Sequence, residues 1–124
     1  MKRPFTGWLV AALLASSALC APTAQAPTLR PTFGGVLLEA RLLPGNNASL
    51  SGAWSDTGRA RLMRCAPRCS VVKSIPLDGP MTISQSSMYR VVLGGTFKPG
   101  QRVKVLLRFG QAEMVTLEAR VAVR

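Results

Sequence analysis

The residues best suited to chemistry lie at 63–69, which read Met-Arg-Cys-Ala-Pro-Arg-Cys in a chain that has no histidine. Thiolate and thioether sulfur atoms are soft ligands that suit Cu(I). Met63 and Cys65 are two residues apart, so on a β-strand both side chains point to the same face. The segment therefore predicts a metal site built from sulfur ligands.

A disulfide is the alternative interpretation of the same two cysteines. Three residues separate Cys65 from Cys69, and a link of that length can close a hairpin that sets the two residues opposite each other. In that case Met63 and Met88 are ordinary core side chains, because methionine fills irregular gaps in protein cores. A thiol pair can cycle between both states, so the two interpretations stay open here.

The N-terminal residues predict a secretory signal peptide over residues 1–20. The positively charged residues Lys2 and Arg3 are followed by an unbroken apolar run from Trp8 to Ala15 and then by small residues. This order is typical of a signal peptide, and the run is too short to span a bilayer. We expect cleavage after residue 20 or after residue 26, with lipidation of Cys20 as a weaker alternative. The protein is therefore expected in the periplasm or cell envelope, where disulfides persist.

The remaining residues, about a hundred, suffice for one small domain with one core. Residues 21–32 are rich in Ala, Pro, Thr and Gln, and we expect them to form a disordered lead-in. The folded domain is then expected to span residues 33–124.

Alternation of apolar and polar residues predicts an all-β fold for this domain. It is clearest over 103–109 and 114–123, where period two indicates half-buried strands that Gly110 and Gln111 join as a hairpin. Earlier strands are expected at Gly35–Leu43, Ala48–Trp54, Arg59–Cys65, Cys69–Ile75, Met81–Ser84 and Met88–Leu93. Short strands separated by turn residues, with no amphipathic helix, indicate a sandwich or a barrel.

The strong positive charge narrows the choice of partners. Removing Lys2 and Arg3 from the sixteen basic residues leaves fourteen against five acidic residues, a net charge of about +9. Nucleic acid is not expected, because Tyr89 is the only tyrosine and the aromatic platform that stacks single-stranded bases is missing. We expect the arginines to meet an acidic partner protein or an anionic envelope surface. No segment after the signal peptide is apolar enough to span a membrane.

The sequence does not predict an enzyme. It lacks histidine, its five acidic residues are isolated, and it has neither a phosphate-binding glycine loop nor a nucleophile elbow. The spacing of Cys65 and Cys69 is one residue too long for the Cys-x-x-Cys motif of thiol–disulfide oxidoreductases.

Short segments of the C-terminal half occur in an informative order. They are Val-Lys-Ser-Ile-Pro-Leu at 72–77, Ser-Met-Tyr-Arg-Val-Val-Leu at 87–93, Lys-Pro-Gly-Gln-Arg-Val at 98–103, Leu-Arg-Phe at 107–109, and the strand at 115–123. Together with Gly35–Leu43, Leu50–Trp54 and Arg59–Met63, this order resembles the periplasmic copper chaperone family PCu(A)C. The resemblance implies a cupredoxin-like Greek-key β-sandwich that holds Cu(I) at one edge. It also implies copper-donating or copper-accepting envelope proteins as partners.

The chain departs from that family at the copper ligands. The family binds copper through a His, a downstream Met and a later His-x-Met pair. These positions fall on Met63, near Cys69, and on Arg90 and Val92. Arginine stays protonated and valine has no donor atom, so the last two cannot bind a metal.

A rebuilt site is one consequence of this departure. Met88 lies two residues before Arg90 and therefore shares a face with the last two ligand positions. Met63, Cys65, Cys69 and Met88 could then converge on one Cu(I) ion. The alternative is an interaction module that kept the fold, lost the metal site, and binds a partner through a basic face, with a structural disulfide between the two cysteines.

Overall fold

A computed structural model describes residues 21–123, and every regular element in that range is a β-strand. The strands are β1 (Thr23–Thr32), β2 (Gly35–Leu43), β3 (Ser49–Ser55), β4 (Gly58–Arg59), β5 (Arg61–Cys65), β6 (Cys69–Val72), β7 (Ile75–Pro76), β8 (Met81–Ile83), β9 (Tyr89–Gly94), β10 (Arg102–Phe109) and β11 (Glu113–Val121). The predicted all-β, sandwich-like fold is confirmed. Within this range no helix could cross a membrane. The predicted signal peptide lies outside the described residues.

The strands form one mixed sheet that curls until its two halves face each other. The strand order is β4-β3-β10-β11-β1-β2-β9-β5-β6, with β7 paired to β3 and β8 paired to β2. β1 joins the halves, because it pairs antiparallel with β2 and parallel with β11. Across the core, β3 of one half contacts β5 and β9 of the other.

Alternate side chains from both halves fill the space between them. The largest that are fully buried are Phe109, Leu29, Leu38, Leu42, Leu50, Ile75, Ile83, Leu93 and Leu107. Within residues 21–123 no polar or charged side chain is buried, so the core is held by apolar contact alone.

The predicted hairpin near the C-terminus is present as β10 and β11. Their register is continuous from Arg102 opposite Arg120 to Phe109 opposite Glu113. Gly110 has a φ of 59°, a left-handed conformation that glycine adopts at little cost, and this explains why the chain turns there.

The prediction of a disordered lead-in over residues 21–32 was wrong. Thr23–Thr32 is β1, and Thr28 and Leu29 are paired on both sides, with β2 and with β11. Hydrogen bonds to the two neighbouring strands satisfy the backbone N–H and C=O groups of these residues, whatever their side chains. Leu29 is also fully buried in the core. The polar composition of residues 21–32 therefore did not indicate that they form a strand. The folded domain includes β1.

Candidate functional site

The hairpin of β5 and β6 positions the two cysteines. The loop between the strands closes tightly, since the amide of Ala66 donates a 3.2 Å hydrogen bond to the carbonyl of Arg68. Cys65 and Cys69 lie directly opposite each other, with their Cα atoms 3.8 Å apart, and a disulfide joins them. The structure thus contains the bond that one of the two sequence interpretations predicted.

The two methionines of the predicted copper site lie on the same face of the sheet as the disulfide. Met63 lies opposite Arg90 of β9. The amide of Cys65 donates a 2.7 Å hydrogen bond to the carbonyl of Met88, so Met88 is the cross-strand neighbour of Cys65. The Met88 side chain is half exposed.

An open cavity of about 280 Å³ lies on this outer face of β2, β9, β5 and β6. We call it the basic cavity, and the residues that define it are Phe33, Leu37, Arg61, Met63, Cys65, Cys69, Arg90 and Val92. Thr32 and Gln85 also line it. The cavity thus includes Met63, Cys69, Arg90 and Val92, at or near which the predicted resemblance would put the four copper ligands of the PCu(A)C family. Met88 does not line the cavity, but it is the cross-strand neighbour of Cys65, so all four predicted ligands share one face of the sheet.

The floor of the basic cavity is apolar and its walls are positively charged. Leu37 and Val92 point away from the core, yet they are only 4% and 7% exposed. Arg61 lies opposite Val92 in the register, and Arg90 lies one row further along the same face. The apolar stems of arginine side chains can cover such a floor while their charged ends stay in water. The Nε atom of Arg90 donates a 3.0 Å hydrogen bond to the carbonyl of Ser87, which fixes the direction of this side chain.

No acidic side chain lines the basic cavity. The two ion pairs found within residues 21–123 join Arg30 to Glu39 at 3.1 Å and Arg102 to Glu118 at 3.9 Å. Neither involves an arginine of the cavity. Arg61 also lines an adjacent groove together with Arg59 and Lys73, and that groove contains no acid either. Glu39 borders the cavity, because its Oε2 atom accepts a 3.3 Å hydrogen bond from the amide of Gln85, which lines it, but its ion pair is with Arg30.

Phe33 is a residue that the sequence did not single out. It lies in the turn between β1 and β2, is fully exposed, and forms part of the cavity rim. Gly34 makes this turn with a φ of 80°. The sequence signal for this turn is Phe-Gly-Gly, directly before the apolar run of β2. It is not recognised as a turn between strands when residues 21–32 are expected to be disordered. An exposed aromatic ring beside arginines is typical of the residues that dominate protein–protein binding.

The oxidised site does not fit a copper ion. The sulfur atoms of Cys65 and Cys69 are bonded to each other and offer no thiolate. Among residues 21–123, no three side chains of the types His, Cys, Asp and Glu are grouped so that they could hold a metal. Of the predicted ligands that line the cavity, only Met63 then has a sulfur atom that is free to bind a metal. Reduction would change this, because it would leave two thiols opposite each other beside Met63.

The chain matches no protein-family model and no curated protein. The resemblance to the PCu(A)C family therefore stays a prediction that rests on the segments quoted above. Function has to be argued from the chemistry of the basic cavity and its surroundings.

Proposed function

We propose that this protein is an interaction module that binds an acidic segment of a partner protein in the basic cavity. One observation carries the proposal: Arg61 and Arg90 line the same cavity, and neither forms an ion pair among residues 21–123. Guanidinium groups bind carboxylates through paired, charge-assisted hydrogen bonds. A partner that supplies carboxylates together with an apolar side chain would pair with the arginines and cover the exposed ring of Phe33.

Phe33 and the overall charge support the same partner. Burial of the exposed Phe33 ring against a partner would remove apolar surface from water, which favours association. The net charge, about +9 without Lys2 and Arg3, attracts an acidic partner over distance and raises the rate of encounter. Export to an oxidising compartment, predicted from residues 1–20, would keep the Cys65–Cys69 bond intact while the partner is bound.

A titration with one synthetic peptide tests the proposal. The probe is an acetylated and amidated octapeptide with glutamate and valine alternating at its odd positions and serine at its even positions, so that one face of the extended peptide carries both carboxylates and apolar side chains. We call it the glutamate–valine octapeptide. It is added to the oxidised full chain, and binding is followed by amide chemical shifts. We expect shifts at residues of the basic cavity. The variant Arg61→Glu, Arg90→Glu should bind at least about tenfold more weakly, because both carboxylate partners are lost.

The matched control reverses the same amount of charge elsewhere. Arg102→Glu with Arg120→Glu changes two exposed residues that face each other on β10 and β11, in the other half of the sheet. This control should keep most of the affinity. Equal losses in both variants would show that only net charge matters, and absence of binding to the wild type would reject the proposal.

Cu(I) transfer is a second candidate function, and one observation favours it. Met63, Cys65 and Cys69 line one cavity at or near positions that match the first two ligands of the PCu(A)C family. Two thiolates and a thioether are suitable ligands for Cu(I) as cargo, provided that the disulfide is reduced first. A copper-donating or copper-accepting envelope protein would then be the partner.

Cu(I) titration against a chromophoric chelator, without oxygen, tests this candidate. The reduced wild type should bind one Cu(I), Cys65→Ser should abolish tight binding, and Met63→Leu should weaken it modestly. Met114→Leu is the control, because Met114 lies on β11 in the other half of the sheet and should matter little. Met88 is the cross-strand neighbour of Cys65, so Met88→Leu tests whether it is a further ligand. The oxidised protein should not bind. Equally weak binding by the reduced wild type and by the Cys65→Ser, Cys69→Ser variant would eliminate copper as the cargo.

A further inference from the structure

β6 is an open edge of the sheet. It is the terminal strand of the order and pairs only with β5. The opposite end of the order is β4, which has only two residues, whereas β6 has four. A terminal strand presents unpaired backbone groups that can template another strand.

The backbone groups of Cys69 and Val71 face this open side. In an antiparallel ladder, successive residues direct their N–H and C=O groups to opposite neighbours. The amide of Cys65 bonds to Met88, so the groups of Cys65, and those of Met63 two residues earlier, point to β9. Their partners on β6 are Cys69 and Val71, whose N–H and C=O groups must then point away from β5. No other part of residues 21–123 takes up these groups.

The basic side chains around β6 favour an incoming strand that is acidic. Val71 is 65% exposed on the outer face, and β6 contains no proline that would block pairing. Arg68 and Lys73 flank the strand, so both ends carry positive charge. A second copy of this basic chain would be repelled there, while an acidic segment would be attracted.

The groove beside β6 connects the open edge to the basic cavity. It has a volume of about 370 Å³ and includes Arg61, Val71 and Lys73. Arg61 lines the basic cavity as well, so the two regions form one continuous surface. The disulfide between Cys65 and Cys69 holds β6 against β5, which keeps the edge in place before a partner arrives.

We infer that an extended acidic segment of the partner protein adds to the sheet as a new strand beside β6, bonded to the backbone of Cys69 and Val71. The inference rests on the proposed function, because it specifies how the acidic partner is held. Strand addition gives affinity through main-chain hydrogen bonds, and neighbouring side chains give specificity. Here the specificity comes from Val71, which accepts an apolar residue, and from the basic residues around it.

The variant Val71→Pro tests the inference with the glutamate–valine octapeptide as probe. Proline removes the outward N–H of residue 71 and leaves the bonds between β5 and β6 intact, since that N–H points away from β5. We expect the affinity for the peptide to fall about tenfold. Val71→Ala is the control, because it shortens the side chain but keeps the N–H, and it should lose less.

A second measurement leaves the protein unchanged. Two versions of the octapeptide carry N-methyl groups, one on its odd residues and one on its even residues. An added strand directs only alternate N–H groups to β6, so one version should lose binding and the other should keep it. Strand addition is wrong, while the proposed function stands, if both methylated peptides bind as tightly as the unmodified peptide and Val71→Pro binds that peptide as tightly as the wild type does. If the unmodified peptide fails to bind the wild type, both are wrong.

Discussion

Met63 of β5 and Arg90 of β9 lie directly opposite each other on the outer face of the sheet. The side chains of such a cross-strand pair start about 5 Å apart, which is close enough for two residues to share one ligand. The predicted resemblance to the PCu(A)C family would put that family's first and third copper ligands at these two residues. The spacing is thus compatible with a shared metal, but an arginine now stands at one of the two positions.

Restoring the family's residues at 90 and 92 should create a copper site. In the variant Arg90→His, Val92→Met, an imidazole would lie opposite Met63 and a thioether would lie in the next row of the same face. Imidazole and thioether are both good Cu(I) ligands, so we expect the affinity of the oxidised protein for Cu(I) to rise at least about tenfold. Competition with a chromophoric chelator measures the change.

A variant that keeps the size of the new side chains but removes their donors is the control for this experiment. Arg90→Gln with Val92→Leu should bind no more Cu(I) than the wild type. An unchanged affinity in the His and Met variant would mean that the family's motif has been placed wrongly on this chain.

Replacement of Phe33 should separate binding from stability. The ring is fully exposed, so Phe33→Ala should leave the melting temperature unchanged. If the ring anchors a partner, the affinity for the glutamate–valine octapeptide should fall about tenfold. Met114→Ala, which truncates an exposed apolar side chain in the other half of the sheet, should change neither quantity. A loss of stability in Phe33→Ala would show that the turn, rather than the exposed ring, is affected.

Gly52 should be intolerant of even a methyl group. A Cβ atom at this position would overlap the indole of Trp54. The guanidinium carbons of Arg59 and Arg108 lie 5.6 and 5.2 Å from the centroid of this ring. Gly52→Ala should therefore displace the ring, change the near-ultraviolet circular dichroism and destabilise the protein by about 1–3 kcal/mol. Gly94→Ala is the matched control, because a Cβ there meets no atom within 4 Å. Equal effects of the two substitutions would contradict the packing argument.

Removal of the disulfide should cost a modest amount of stability. The loop that it closes is short, with a sequence separation of 4, and a small loop constrains the unfolded chain less than a large one. We expect Cys65→Ser with Cys69→Ser to lower the free energy of unfolding by about 2 kcal/mol, measured in urea. Reduction of the wild type should give a similar loss. A loss of more than about 5 kcal/mol would indicate that the two residues do more than close the hairpin.

The strands with strict alternation could be predicted from the sequence. Gly35–Leu43 matches β2 at both ends, and the hairpin of β10 and β11 was recognised because apolar residues alternate over its full length. The first strand was missed. Only Leu29 in Thr23–Thr32 is fully buried, so no period-two pattern is visible, and the strand depends on backbone pairing with distant segments.

The candidate site could be predicted only in part, for a related reason. Alternation places Met63 and Cys65 on one face, and the short link to Cys69 allows a disulfide, so this corner of the cavity follows from local sequence. The opposite corner does not. Phe33 and Leu37 reach the cavity because β2 pairs with β9, which in turn pairs with β5, and such long-range register is not encoded in any single segment.

The parallel pairing of β1 with β11 has a consequence for when the protein can fold. Thr28 lies beside Arg120, so the two halves of the sheet cannot join until residue 120 has left the ribosome. Contacts between such distant segments are slow to form, so the two halves of the sheet stay unjoined while synthesis continues. If the protein is exported as its N-terminal residues predict, this delay helps the chain to stay unfolded enough to pass through a translocation channel.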